Sequence, residues 1–134
     1  MTFDDPQRRV IVRVTGEWSL DAALEVMRTA RADADHQLWP MLVDARGAKS
    51  ALTVADVERM LDAVQDARRR QGMRGYVALV ADDDTLYARL LYYEMRAAQI
   101  GVGVIRAFRE RRDAEQWLAI MADSWKFGDT LGRG

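Results

Sequence analysis

Cysteine is absent from the 134 residues, so disulfides, thiolate-held metals, iron–sulfur clusters and a cysteine nucleophile are all excluded. Histidine occurs once, at His36, which leaves no His-rich metal site and no two-histidine proton relay. There is no excess of either charge: 20 Lys and Arg face 21 Asp and Glu, and the basic surplus common in nucleic-acid binders is missing. Long apolar runs are missing too. Tyr76-Val77-Ala78-Leu79-Val80-Ala81 is strand length, far below the ~20 residues of a spanning helix. Met1 to Pro6 is acidic where a signal peptide is basic, and no apolar stretch follows. These features predict a cytoplasmic chain without membrane insertion. The hydrophobic fraction of 49% suits one globular domain with one core.

The apolar pattern alternates between two periods. Arg9 to Thr15 has Val10, Val12 and Val14 on one face, which predicts a strand with one wet face near a sheet edge. Leu20, Ala23, Leu24, Met27 and Ala30 share one helical face, predicting a helix over about 20–34 with Ser19 as N-cap. Met41 to Asp44 is the nearly continuous apolar run of a buried parallel strand. After a loop over Ala45–Ser50, Thr53 and Asp56 fit a capping pattern before a helix over about 54–70. A strand follows at Tyr76–Ala81, then a helix opened by Asp82-Asp83-Asp84-Thr85 and running to about Gln99. A strand at Val102–Phe108 and a helix from about Asp113 to Ala122 complete the pattern, with 124–134 as a tail carrying Trp125 and Phe127. Alternating strands and helices with short connections predict one α/β domain, a mostly parallel sheet of about four to five strands flanked by helices.

Four segments carry a family resemblance. Val14-Thr15-Gly16-Glu17-Trp18-Ser19 is similar to a glycine turn from a first strand into a first helix. Leu42-Val43-Asp44-Ala45-Arg46-Gly47 is similar to a buried "L-V-D-x-x-G" strand, and Tyr76 to Asp82 to an "h-A-h-V-x-D" strand. Phe108-Arg109-Glu110 with Ala114 and Trp117-Leu118 is similar to a closing "F-R-x…A-x-x-W-L" segment. Over about Val10 to Leu118 the chain resembles the STAS domains, in particular the SpoIIAA-like bacterial proteins. The resemblance implies a mixed sheet wrapped by helices. It also implies regulation by protein contact or binding of a small apolar ligand; it does not imply a known enzyme. The "D-S-S/T-G" phosphorylation motif of the anti-sigma-factor antagonists is absent: Gly47 to Thr53 reads G-A-K-S-A-L-T.

Several residues are weighed as sites. Ser50 and Thr53 precede a helix, where a hydroxyl serves as a cap or, with Arg46 and Lys49 nearby, as a phosphate acceptor; capping is favoured. Asp82-Asp83-Asp84 offers carboxylates to a hard cation, but adjacent acids diverge, so helix-start capping is favoured and no metal is expected. His36 sits between Asp35 and Gln37 with no nucleophile signature, which favours a solvated loop residue. Two arginine groups, Arg68-Arg69-Arg70 with Arg74 and Arg106, Arg109, Arg111 and Arg112, are interleaved with acids or placed at a helix end, which favours solvated surface.

The segment Leu86–Ile100 carries two adjacent apolar stripes: Leu86, Leu90, Tyr93 and Ala97, and Tyr87, Leu91, Met95 and Ala98. A helix buried on two sides, a homodimer face and a pocket wall all fit that width. The sequence therefore supports a non-enzymatic regulatory or protein-interaction module, with a homodimer and a regulatory protein partner expected and no cofactor. Its site is expected at the carboxyl ends of the parallel strands, among Asp44, Arg46, Ser50 and Asp82. Two alternatives stand beside it. One is a carrier or sensor of a small apolar ligand, with Tyr87, Leu91, Tyr92 and Met95 lining a pocket. The other is a cofactor-independent enzyme using Asp44 or Asp82 as base.

Overall fold

The structure, a computed structural model, describes residues 2–4, 9–30, 40–71, 76–102 and 104–132. Its strands are β1 (Thr2–Asp4), β2 (Arg9–Arg13), β3 (Glu17–Trp18), β4 (Met41–Asp44), β5 (Lys49–Ser50), β6 (Tyr76–Val80) and β7 (Val104–Phe108). Its helices are α1 (Leu20–Ala30), α2 (Val54–Gln71), α3 (Asp84–Ile100) and α4 (Arg111–Gly132). The main sheet runs β1-β2-β4-β6-β7. β2, β4, β6 and β7 are parallel, and β1 pairs antiparallel to β2. The fold is α/β with a mostly parallel sheet flanked by four helices.

The parallel strands lie in chain order, so each crossover reaches the adjacent strand. Right-handed crossovers then put α1, α2 and α3 on one face. The side chains confirm it. Val10, Val12, Met41, Val43, Leu79, Ile105 and Ala107 join Ala23 of α1, Leu61 of α2 and Leu90 of α3 in the larger core. The alternate residues Leu42, Ala78 and Val80 face the other way and pack against Ala114 and Leu118 of α4. Tyr76 meets Trp117 edge-to-face and Phe108 meets it at a tilt at the rim of this second core, with ring centroids 6.2 and 5.7 Å apart. β4 is buried at all four residues because helices cover both faces.

Local chemistry fixes the helix starts. Ser19 Oγ accepts from Ala22 N–H. Thr53 and Asp56 form a reciprocal capping box: Asp56 N–H donates to Thr53 Oγ1 at 3.0 Å and Thr53 N–H to Asp56 Oδ2 at 2.9 Å. Thr53→Ala is expected to cost about 1 kcal/mol, read as a lower urea midpoint at unchanged slope. Asp83 caps α3 through Leu86 N–H, and Gly101 ends it at φ +71°, a left-handed conformation that favours glycine.

β2 lies near the sheet edge as expected, one strand in, because β1 pairs outside it; the three residues of β1 are too few to show a periodicity. Two expectations are corrected. The loop over 45–50 contains β5, which pairs in parallel with β3 as a two-stranded sheet. The last helix does not stop near Ala122; α4 continues to Gly132, through the segment expected as a tail. The side chains of Trp125 and Phe127, and His36 entirely, lie outside the described residues. Among those residues no helix is long and apolar enough to cross a membrane.

Candidate functional site

At the carboxyl end of β4 the chain places a carboxylate that solvent does not reach. Asp44 is 0% exposed. Three arginines converge on it from separate elements. Arg13 is its direct register partner on β2 and donates from Nη1 to Oδ2 at 2.7 Å. Arg46, two residues on, donates from Nε to Oδ1 at 2.9 Å and from Nη2 to Oδ2 at 2.8 Å. Arg111, the first residue of α4, reaches Oδ2 at 3.2 Å. Glu115 extends the network by pairing with both Arg111 and Arg9. Burial alone would raise the Asp44 pKa. The hydrogen bonds from Arg46 and the charges of Arg46 and Arg13 overcome that and hold the carboxyl well below its ordinary value.

The chemistry of this edge is electrostatic. A general base works best with a pKa near the working pH, and Asp44 is held in the ionised form by three cations. The guanidiniums keep 52%, 42% and 31% of their side-chain surface open for Arg13, Arg46 and Arg111. Each of these side chains therefore spans from the one buried carboxylate to solvent.

The other sequence-predicted residues of this edge serve the backbone. Asp82 Oδ1 accepts from Gly47 N–H at 2.9 Å, which ties β6 to the turn after β4. Ser50 Oγ accepts from Leu52 N–H. The acids 82–84 do diverge: Asp83 caps α3, and Asp84 pairs with Arg109, whose guanidinium also lies over the Tyr87 ring. No family model matches the chain, and neither a curated protein nor a solved structure does. The geometry of its own residues therefore carries the reading of function. The expectation that a ligand lies at the carboxyl edge also meets a topological limit. Open α/β sheets form that crevice where strand order reverses, and this strand order never does.

A second site lies on the α1–α3 side. A cavity of about 70 Å³ is bounded by Trp18, by Ala23, Val26 and Met27 of α1, and by Met60 and Val64 of α2. Tyr87, Leu91, Tyr92 and Met95, expected to wall a pocket, are not part of it. Leu91 and Met95 are exposed on the outer side of α3. Tyr92 turns toward α2, where its hydroxyl donates to Glu58 Oε1 at 2.6 Å beside Arg96. The hydrogen bonds from Arg96 and Tyr92 lower the Glu58 pKa, and the bond to Glu58 raises that of Tyr92.

Trp18 is the residue that sequence reasoning missed. It is 2% exposed, and its Nε1–H is buried without a hydrogen-bond partner. An unsatisfied buried donor costs about 1–3 kcal/mol. The backbone of Trp18 pairs with Ser50 of β5, and the next residue, Ala51, donates its N–H to the Trp18 carbonyl at 3.0 Å. The available signal was a tryptophan in a short strand-to-helix turn, a large side chain with a polar tip and nowhere local to bury it.

Proposed function

We propose that this chain is a non-enzymatic regulatory module of the STAS-like type that meets an acidic protein surface through the carboxyl edge of its sheet. The observation that carries this is the Asp44 cluster. One buried carboxylate fixes three partly exposed guanidiniums in place, and their order costs nothing further at the moment of contact. The sheet architecture supports the resemblance: one antiparallel edge strand, four parallel strands and helices around them. Ser50 and Thr53 are engaged in turn and cap hydrogen bonds, which favours their structural role over a phosphoswitch. Self-association is supported by Leu91 and Met95, one turn apart and exposed on α3.

The test is site-specific crosslinking in the native host. A photo-crosslinker replaces the exposed Arg112 beside the cluster or, as control, the exposed Asp62 on α2. A discrete adduct is expected from position 112 only, and Arg13→Glu should abolish it. Equal labelling from both positions, or an adduct indifferent to Arg13→Glu, would overturn the reading. A second reading, a carrier or sensor of a small apolar ligand, is favoured by the cavity beneath α1 and the unpartnered Trp18 N–H.

A further inference from the structure

Helix α3 buries Leu86, Leu90, Tyr93 and Ala97 in the core. Its opposite side is exposed and apolar over three turns: Ala88, Leu91, Met95 and Ala98. Their spacing is three, four and three residues, the repeat of a seam that faces another helix. The outer face of a surface helix ordinarily carries charge. Here the charged residues stand on the flanks and are engaged within the chain. Arg89 donates to the Leu52 carbonyl, Arg96 pairs with Glu58, and Glu94 accepts from Ala107 N–H.

The order of sizes along this stripe points to its occupant. It reads small, large, large, small, and it is symmetric about residue 93. A two-fold contact requires each pairing to occur twice, residue i on j and j on i. In two α3 helices laid antiparallel, with the axis level with residue 93, Leu91 meets the partner's Met95 on both sides of the axis. Ala88 then meets the partner's Ala98 at both ends. No charged residue lies within the stripe to repel its own copy. Charge complementarity adds to the fit. The last turn of α3 carries no basic residue of its own. Arg109 lies over the Tyr87 ring near the start of α3, and in the antiparallel pair it falls level with the last turn of the partner's helix, where a cation is favourable.

We propose that the outer stripe of α3 is a self-association surface whose partner is a second copy of this chain, packed antiparallel, α3 on α3. This rests on the regulatory reading above and gives its dimer an orientation and a register. The 17 residues of α3 make a helix about 25 Å long and 10–12 Å across. One face of it offers roughly 250–300 Å² on each protomer, about a third of what each partner gives to a standard interface. The dimer is therefore weak and reversible, with a Kd on the order of 100 µM. The orientation also decides where the Asp44 clusters go. As the crossover between parallel β6 and β7, α3 runs against the strands. Reversing α3 in the partner reverses its sheet, so the two carboxyl edges point in opposite directions. The dimer joins two acidic surfaces rather than gripping one twice.

The chain has no cysteine, so single cysteines report this contact cleanly. Ala88→Cys and Ala98→Cys, both at exposed positions, are mixed in equal amounts near the expected Kd, one of them ¹⁵N-labelled, and oxidised. Intact mass separates the mixed disulfide from the two like ones. In the antiparallel register, position 88 lies level with the partner's 98. Two copies of 88, or of 98, lie about 15 Å apart along the axis, beyond the ~7 Å that a disulfide spans. The mixed disulfide is expected to exceed each like one by more than about tenfold, whereas random collision gives about twofold. Leu91→Glu in both chains should slow its formation by about tenfold, because a charge is then buried at the centre. Like disulfides in excess would mean a parallel contact, and a twofold ratio would mean collision without register; either overturns the antiparallel dimer. A yield no higher than that of an Asp62→Cys control, exposed on α2, overturns the surface itself. None of these results alters the adduct at position 112, which decides separately whether the carboxyl edge meets an acidic partner.

Discussion

Asp44→Asn is expected to destabilise the protein by about 2–3 kcal/mol, a fall of about 7–10 °C in Tm for a chain of this length. Removing one partner of a fully buried ion pair costs about 3–5 kcal/mol when the remaining charge is stranded. Here the stranded groups are arginines that keep a third to a half of their surface in water, so the lower range applies. Asparagine preserves the shape and one acceptor but loses the charge that holds β2, the turn after β4 and the start of α4 together.

The pH dependence distinguishes charge from shape. The folded-state pKa of Asp44 lies below its unfolded value of about 4. The unfolded chain therefore takes up the proton first as pH falls. The stabilisation is fully present above the unfolded pKa and is lost as pH drops through the folded one. The gap between wild type and Asp44→Asn should be constant above about pH 5 and narrow on acidification below about pH 4. Urea unfolding of both proteins from pH 7 to pH 3 measures it. A gap that stays flat to pH 3 would mean that the carboxylate charge contributes little.

Leu42→Ala is expected to cost about 3–4 kcal/mol, within the usual 2–5 kcal/mol for burying a void in place of leucine. Leu42 is 0% exposed and sits on the central strand β4, with Ala78 and Val80 beside it and Ala114 and Leu118 of α4 above it. This second core is small. It has few other large side chains to close over the gap, so the cost should lie in the upper half of the range. Ile120→Ala is the control: Ile120 is 55% exposed on the same helix, and its loss should fall within about 0.5 kcal/mol. Equal effects at the two positions in chemical denaturation would contradict the docking of α4 on this face of the sheet.

The elements themselves were legible because the forces that make them are local. Alternating valines at 10 and 12 and the continuous run 41–44 mark strands, and the stripe Val57, Met60, Leu61, Val64 marks α2. The caps at Ser19, Thr53 and Asp83 were legible for the same reason, since each hydrogen bond spans three residues. The α3 segment was legible only in part. Two stripes of equal helical spacing give no order of preference, and the sheet buries Leu86, Leu90, Tyr93 and Ala97 while leaving Leu91 and Met95 outside.

Local patterning was enough for the α/β class, the alternation of strands and helices, and Asp44 and Arg46 as residues of interest. Which groups meet was settled by long-range pairing. Arg13 lies 31 residues from Asp44 and Arg111 lies 67, and no periodicity connects them. They meet because β2 and β4 pair in a fixed register and α4 starts above the end of β4. The cavity is equally non-local, since its walls come from three helices, the sheet and the turn at Trp18. Local spacing sets which face of an element is apolar. Only the pairing of distant elements sets what that face covers, which of its polar groups find partners, and which, like Trp18 Nε1, are left waiting for one.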